Sequence, residues 1–358
     1  MNKKNKSLFR LVGLGLFSIL FLTLMTISFY GYVLEQIGVE HAENVRSYDH
    51  HFVMIVANSD SRFWNDVYDS VREEAAKENA YVELKGKSQS SEYTMVDMMD
   101  MSIAAKVDGI LLECTDEENL DEKVNEASEK GIPVITILND APATERKSFV
   151  GINPYQLGQA YGYQLEKMIQ KLVMEREDGR EAPGHSGSGE EPEALLRVTV
   201  LLNDSSIDSN QFQIYNQINN MMVTSDKTAG LVRTEAVRIP SDGAFESEEI
   251  VWNLFQNEEG PPDIIVCMDE VDTEAVYQAV IDYNRVGATQ VIGYYKSRTT
   301  LEAVKRGTMA MSLFIDTEGM GKNSVKAMME CIRDGRTNSF YSVDLQFITQ
   351  ENAAAFIE

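Results

Sequence analysis

The apolar positions fall into short runs separated by amphipathic stretches, and the two alternate along most of the chain. Residues 51–57 (HFVMIVA) are nearly all apolar, which predicts a buried strand. In 62–79, Phe63, Val67, Val71 and Ala75 recur every four residues, which predicts a helix with one buried face. The same reading gives strands at 81–85, 109–113 and 132–138 and helices at 92–106 and 119–130, with Gly131 as a helix stop. A short strand at 149–152 precedes a long helix from Pro154 to about residue 174, with proline in the first turn where its missing N–H does no harm.

Residues 175–193 interrupt the pattern with acids, glycines and prolines and read as a flexible, solvated insertion. The alternation then restarts. Strands are expected at 195–202, 232–239, 264–268, 290–293, 310–315 and 341–348, with helices at 209–224, 246–256, 272–285, 300–306 and 318–334. Repeated strand–helix–strand units require mostly parallel sheets covered by helices on both faces. Two runs separated by a break imply an α/β protein of two doubly wound lobes, with ligand space at the carboxyl ends of the strands.

The N-terminal pattern is different. Residues 11–33 (LVGLGLFSILFLTLMTISFYGYV) carry no charge, and the first 34 residues hold Lys3, Lys4, Lys6 and Arg10 and no acid. A helix of that length spans roughly 34 Å, enough for a bilayer core. The reading is a cytoplasmic basic tail (1–10), a single transmembrane anchor (11–33), a polar stalk (34–49) and an extracytoplasmic body. A cleaved signal peptide is the rival. The apolar run is longer than a signal core, and no small-residue cleavage site follows closely.

Composition narrows the chemistry. The 358 residues carry a net charge of −25, which argues against a nucleic-acid partner. Cys114, Cys267 and Cys331 are too far apart in sequence for a disulfide framework or a metal knuckle and read as separate buried thiols. All four histidines (His41, His50, His51, His185) fall outside the predicted lobe interiors, which excludes a histidine-dependent triad and the usual zinc sets from the cleft. The segment from Gly319 to Ser324 fails as a phosphate loop, because Asp316 and Asn323 stand where glycine and a hydroxyl residue are needed. No catalytic activity, cofactor or metal is expected.

Six segments in order carry a resemblance: VMIVANSDSRFWNDVYDSVREEAAKENAYV, AAKVDGILLECTDEENLDEKVNEASEKGIPVITILND, SFVGINPYQLGQAYGYQL, DIIVCMDEVDTEAVYQAV, VIGYYKSRTTLEAVKRG and MSLFIDTEGMGKNSVKAMM. Over about residues 51–350 the chain resembles the ribose-binding-protein branch of the type I periplasmic binding proteins. The resemblance implies two lobes joined by three crossings, 50–152 with 316–341 and 153–315 with 342–358, closing on a small, often sugar-like ligand. It also implies an ABC permease as partner or, alternatively, a sensory role beside a membrane partner such as a histidine kinase.

Carried over residue by residue, the resemblance assigns the ligand wall of lobe one to Ser61, Phe63, Trp64, Asn139 and Asp140. In lobe two it points to Phe212, Met268, Tyr295 and Phe314, where the family has charged or amide groups. A one-residue shift brings in Asn210 and Asp269 instead, and Asp269 also reads as a helix cap. Lobe two is thus expected to lose most of its charged hydrogen-bonding groups. That implies a ligand less polar than an ordinary sugar, or a cleft that no longer binds one.

Overall fold

The continuous apolar run at the start of the body forms β1 (His50–Val56), whose residues from Phe52 onward are shut off from solvent. Its two faces feed different cores. Phe52, Met54 and Val56 join one cluster, while Val53 and Ile55 join another, as the two-residue period of a strand requires. The computed structural model describes residues 16, 20–29, 47–87, 93–177, 195–203, 210–239 and 244–357.

The first sheet contains β1, β2 (Ala80–Gly86), β3 (Gly109–Leu112), β4 (Val134–Ile137), β5 (Ser148–Gly151) and β11 (Phe340–Ser342), in the order β11-β5-β4-β3-β1-β2. All of its pairings are parallel. Helix α1 (Arg62–Lys77) and α9 (Thr317–Asp334) pack together beside it, and α2 (Met95–Ala105) and α3 (Leu120–Glu129) pack together elsewhere in this half. Thr94 and Asp97 close a capping box at the start of α2. Gly131, just beyond α3, adopts φ 80°, the left-handed conformation that glycine enters without a Cβ penalty.

The second sheet repeats the plan with β6 (Leu196–Asn203), β7 (Val232–Ile239), β8 (Ile264–Val266), β9 (Gln290–Tyr294), β10 (Met311–Ile315) and β12 (Leu345–Thr349), in the order β12-β10-β9-β8-β6-β7. Only β12 runs antiparallel to its neighbour, with Leu313 opposite Phe347. Its helices are α4 (Pro154–Glu177), α5 (Asn210–Thr224), α6 (Ala244–Gln256), α7 (Glu270–Asp282) and α8 (Arg298–Arg306). The two sheets therefore form a two-lobe, doubly wound α/β body.

The single strand expected at 341–348 is two strands in two different sheets. Val343 and Asp344 lie between them, with Val343 N–H bonded to Gly151 O and Asp344 O accepting from Asp316 N. The chain thus changes sheets there. It also changes sheets between β5 and α4 and between β10 and α9. Helix α7 starts at residue 270 rather than 272, because Asp269 caps it.

The lobe-two helices α4 and α5 pack closely. A Cβ at Gly158 would meet Gln217 Cβ at 2.6 Å and Ile214 O at 2.9 Å. Gly158→Ala is therefore expected to destabilise the chain by about 1–3 kcal/mol, read from urea unfolding. An unchanged midpoint would show that the two helices part without cost.

The body, Asp49–Glu358, is one compact unit and Met1–Tyr48 another. Within the latter, residues 20–29 are helical and solvent-exposed. Among the described residues no helix is long and apolar enough to cross a membrane. The expected basic tail, and most of the expected anchor at 11–33 and stalk at 34–49, lie outside the described residues, as do residues 178–193 of the expected insertion.

Candidate functional site

The carboxyl ends of the two sheets face each other across a cleft of about 550 Å³, within the range of small-molecule sites. Lobe one contributes the loop after β1, the first turn of α1 and the segments after β3 and β4. Lobe two contributes the end of β8, the first turn of α7, the end of β9 and one face each of α4 and α5. In both lobes the fourth strand leaves through a left-handed residue, Leu138 (φ 62°) after β4 and Tyr295 (φ 66°) after β9. Such strained backbone outside glycine collects at functional sites.

An aromatic wall lies on the lobe-one side. Phe63 and Trp64 pack edge to face at 5.0 Å, and Tyr294 from lobe two lies 6.0 Å from Phe63. Both Phe63 and Trp64 also belong to the core cluster shared by the two lobes.

Four carboxylates cluster within the cleft. Glu113, just past β3, accepts from Ala57 N at 2.8 Å and from the Asn139 amide at 3.3 Å. Its burial, with Asp269 opposite adding repulsion, pushes its pKa up to about 7. Asp269 caps α7 by accepting from Val271 N at 2.7 Å, and burial raises its pKa too. Asp272, one turn on, accepts from Ser247 Oγ at 2.7 Å, and burial beside Asp269 pushes its pKa up to about 7.

Glu270 reaches across to lobe one. Its Oε2 accepts from Ser61 Oγ at 2.7 Å and from Phe63 N at 3.2 Å, at the amino end of α1. The helix dipole there favours the charge, while burial raises the pKa. A second bridge lies beside the cleft, where Tyr295 OH donates to Asp66 and Lys296 approaches Asp66 at 3.7 Å. Glu270→Ala removes the first bridge and orphans Ser61 and the α1 N–H. The expected result is a loss of about 1–3 kcal/mol and a larger radius of gyration in scattering. An unchanged profile would mean that Glu270 does not hold the lobes together.

Ser61, Phe63, Trp64, Asn139, Met268 and Asp269 line the cleft. Four other expected residues do not. Asp140 is held by Arg146 through paired bonds of 2.5 and 2.7 Å. Phe212 is half exposed and packs on Tyr215, while its neighbour Gln211 lines the cleft. Tyr295 is wholly buried, and its neighbour Tyr294 lines the cleft. Phe314 packs on Tyr295 and Phe356, and Ile315 lines the cleft instead. The side chain of Asn210 lies outside the described ones.

The expectation that lobe two is short of charged groups is corrected by Asp269, Glu270 and Asp272, which all face the cleft. Two of them were hidden inside an ordinary-looking helix start. Glu113 was missed as well, since a glutamate ending a strand gives no sign in sequence of its desolvation. The thiols of Cys114 and Cys267 are buried with raised pKa values, so they are poor nucleophiles. His50 and His51 open β1, at the end of the strand away from the cleft. Among the described residues no group of three acids, histidines or cysteines could hold a metal ion.

Residues 52–337 match the family described as periplasmic binding protein domain. No curated protein matches the chain. Among solved structures, GanP, a glucose-galactose binding protein from Geobacillus stearothermophilus, is 20% identical with a TM-score of 0.69, over 86% of this chain and 99% of that one. A carbohydrate transporter solute binding protein from Agrobacterium radiobacter, in complex with D-arabinose, gives 18% and 0.69 over 86% and 99%. A chain of the XylFII–LytSN complex gives 21% and 0.68 over 85% and 99%. At these identities the likeness is one of fold.

Proposed function

The chain belongs to the periplasmic binding protein domain family, and on that premise we propose that it is a membrane-anchored extracytoplasmic protein whose lobes close on a small carbohydrate-like ligand for ABC-type import. The fold is that of the type I periplasmic sugar-binding proteins, and the chain is a binding protein rather than an enzyme.

The observation that carries the ligand reading is the cleft itself. It lies between two sheets, is walled by an aromatic pair and is rimmed by polar groups from both lobes. Aromatic faces suit sugar C–H groups, and the polar groups suit hydroxyls. Ser61, Phe63, Trp64, Asn139, Met268 and Asp269 are proposed as ligand-facing residues. The anchor rests on the uncharged run at 11–33 and its basic flank.

A sensory subunit is the second reading. One solved structure of this fold is a complex of XylFII with LytSN.

The anchor is tested by fractionating cells that express the full chain with a C-terminal tag. The expected outcome is full-length protein in the membrane fraction, released by detergent and not by carbonate. A shortened chain in the soluble extracytoplasmic fraction would sink it. Closure is tested by scattering with a confirmed ligand, where identical profiles with and without it count against lobe motion.

A further inference from the structure

We infer that the ligand of this cleft is a cation: a small polyhydroxylated compound carrying a protonated amine, of the aminosugar kind. The inference rests on the solute-binding reading above and concerns which solute.

The first observation is the charge of the cleft wall. Six acids line it (Glu113, Asp116, Glu117, Asp269, Glu270 and Asp272), and Lys87 is the only cation among the described lining residues. Lys87 is half exposed and already lies 3.9 Å from Glu117. A neutral sugar leaves this imbalance in place, and an anionic one worsens it.

The partners of the inner carboxylates show where the missing charge belongs. Asp269 caps the amino end of α7, and Glu270 accepts from the amino end of α1, so each faces a positive helix terminus. Among the described residues Glu113 has only the neutral Ala57 N–H and Asn139 amide, and Asp272, in the first turn of α7, accepts from the neutral Ser247 hydroxyl. These two come from opposite lobes, both are buried, and both have pKa values lifted to about 7. The groups facing Glu113 are Ala57 N, Asn139 and Asp269, and those facing Asp272 are Ser247 and Asp269. A protonated amine supplies the full positive charge that neither carboxylate meets among the described residues.

The second observation is independent of the acids. Tyr161, on α4, lines the same cleft with about 1% of its surface exposed, and its hydroxyl has no hydrogen-bond partner among the described residues. Buried polar atoms are almost always bonded, and each exception asks for a group still to come. A ligand hydroxyl or amine meets that need.

A bare metal ion is the rival cation. It is disfavoured because no three potential metal ligands converge among the described residues. The Phe63–Trp64 pair adds faces for a sugar ring and for cation–π attraction.

The test uses the full-length chain at neutral pH, read by thermal shift and calorimetry. The probes are glucosamine and galactosamine, their neutral counterparts glucose, galactose and N-acetylglucosamine, and putrescine as an amine without a ring. The expected result is binding of an aminosugar at least about tenfold tighter than its neutral counterpart. Glu113→Gln and Asp272→Asn are each expected to weaken the aminosugar about tenfold or more relative to the neutral sugar, with unchanged circular dichroism. Neutral sugars binding as tightly as amines overturn the inference and leave the solute-binding reading intact. Putrescine binding as tightly as the aminosugars overturns the polyol half. If no probe shifts the midpoint, both the inference and the carbohydrate-like reading fall.

Discussion

Glu113→Gln stabilises the ligand-free chain by about 3 kcal/mol at pH 8 and removes part of the pH dependence that the parent shows between pH 4.5 and 7. The folded-state pKa of Glu113 is raised from 4.5 to about 7, chiefly by burial. Below 4.5 the carboxyl is protonated in both the folded and the unfolded chain, and its effect is neutral. Between 4.5 and 7 the unfolded chain gives up the proton and the folded chain keeps it, so stability falls as pH rises. Above 7 the folded chain holds a buried anion and the loss is complete.

Glutamine keeps the shape and stays neutral throughout. Its carbonyl can accept from Ala57 N, which Glu113 holds at 2.8 Å. The Asn139 amide, now 3.3 Å from Glu113 Oε1, can turn its oxygen to the new NH₂. Asp272 contributes a similar slope from its own raised pKa, so Glu113→Gln flattens part of the curve and the Asp272→Asn double variant flattens more. Urea unfolding at pH 4.5, 6 and 8 reads this directly. A Gln variant less stable than the parent at pH 8 would mean that Glu113 is not held at a desolvation cost.

The strands and helices were legible because each sheet is buried on both faces, so its strands stand out as apolar runs such as 51–57 and 195–202. The order of those runs also carried the family. The ligand wall was less legible, and the misses have a common form. Tyr295, Phe314 and Phe212 were expected where their neighbours Tyr294, Ile315 and Gln211 line the cleft. Along a strand a one-residue offset moves a side chain to the opposite face, and on a helix it turns it by about 100°. An alignment without close relatives does not fix a wall to one residue. The bridge between Ser61 and Glu270 joins positions 209 apart in sequence, and only folding brings them together. Asp269 is both a cap and a lining residue, which sequence presented as alternatives.

Asp140→Ala costs about 3–5 kcal/mol of stability and leaves affinity in the cleft unchanged. The sequence placed Asp140 beside Asn139 on the ligand wall, but its bonds run elsewhere. Its two oxygens accept from Arg146 Nε at 2.5 Å and Nη2 at 2.7 Å, and Oδ1 also takes Thr136 Oγ1 at 2.8 Å and Ala141 N at 2.9 Å. Both charged side chains are about 15% exposed, so the pair is largely desolvated. Arg146 Nη1 also donates to Ser339 O at 3.0 Å, the residue before β11. The pair therefore ties the loop ahead of β5 to the strand from which the chain crosses into the second sheet. Removing the carboxylate leaves a buried guanidinium without its counter-charge, which is worse than removing both. Asp140→Ala combined with Arg146→Met is accordingly expected to recover part of the loss. Urea unfolding of the two variants, set beside calorimetry with a confirmed ligand, separates the roles. A single variant that unfolds like the parent but binds weakly would return Asp140 to the ligand wall.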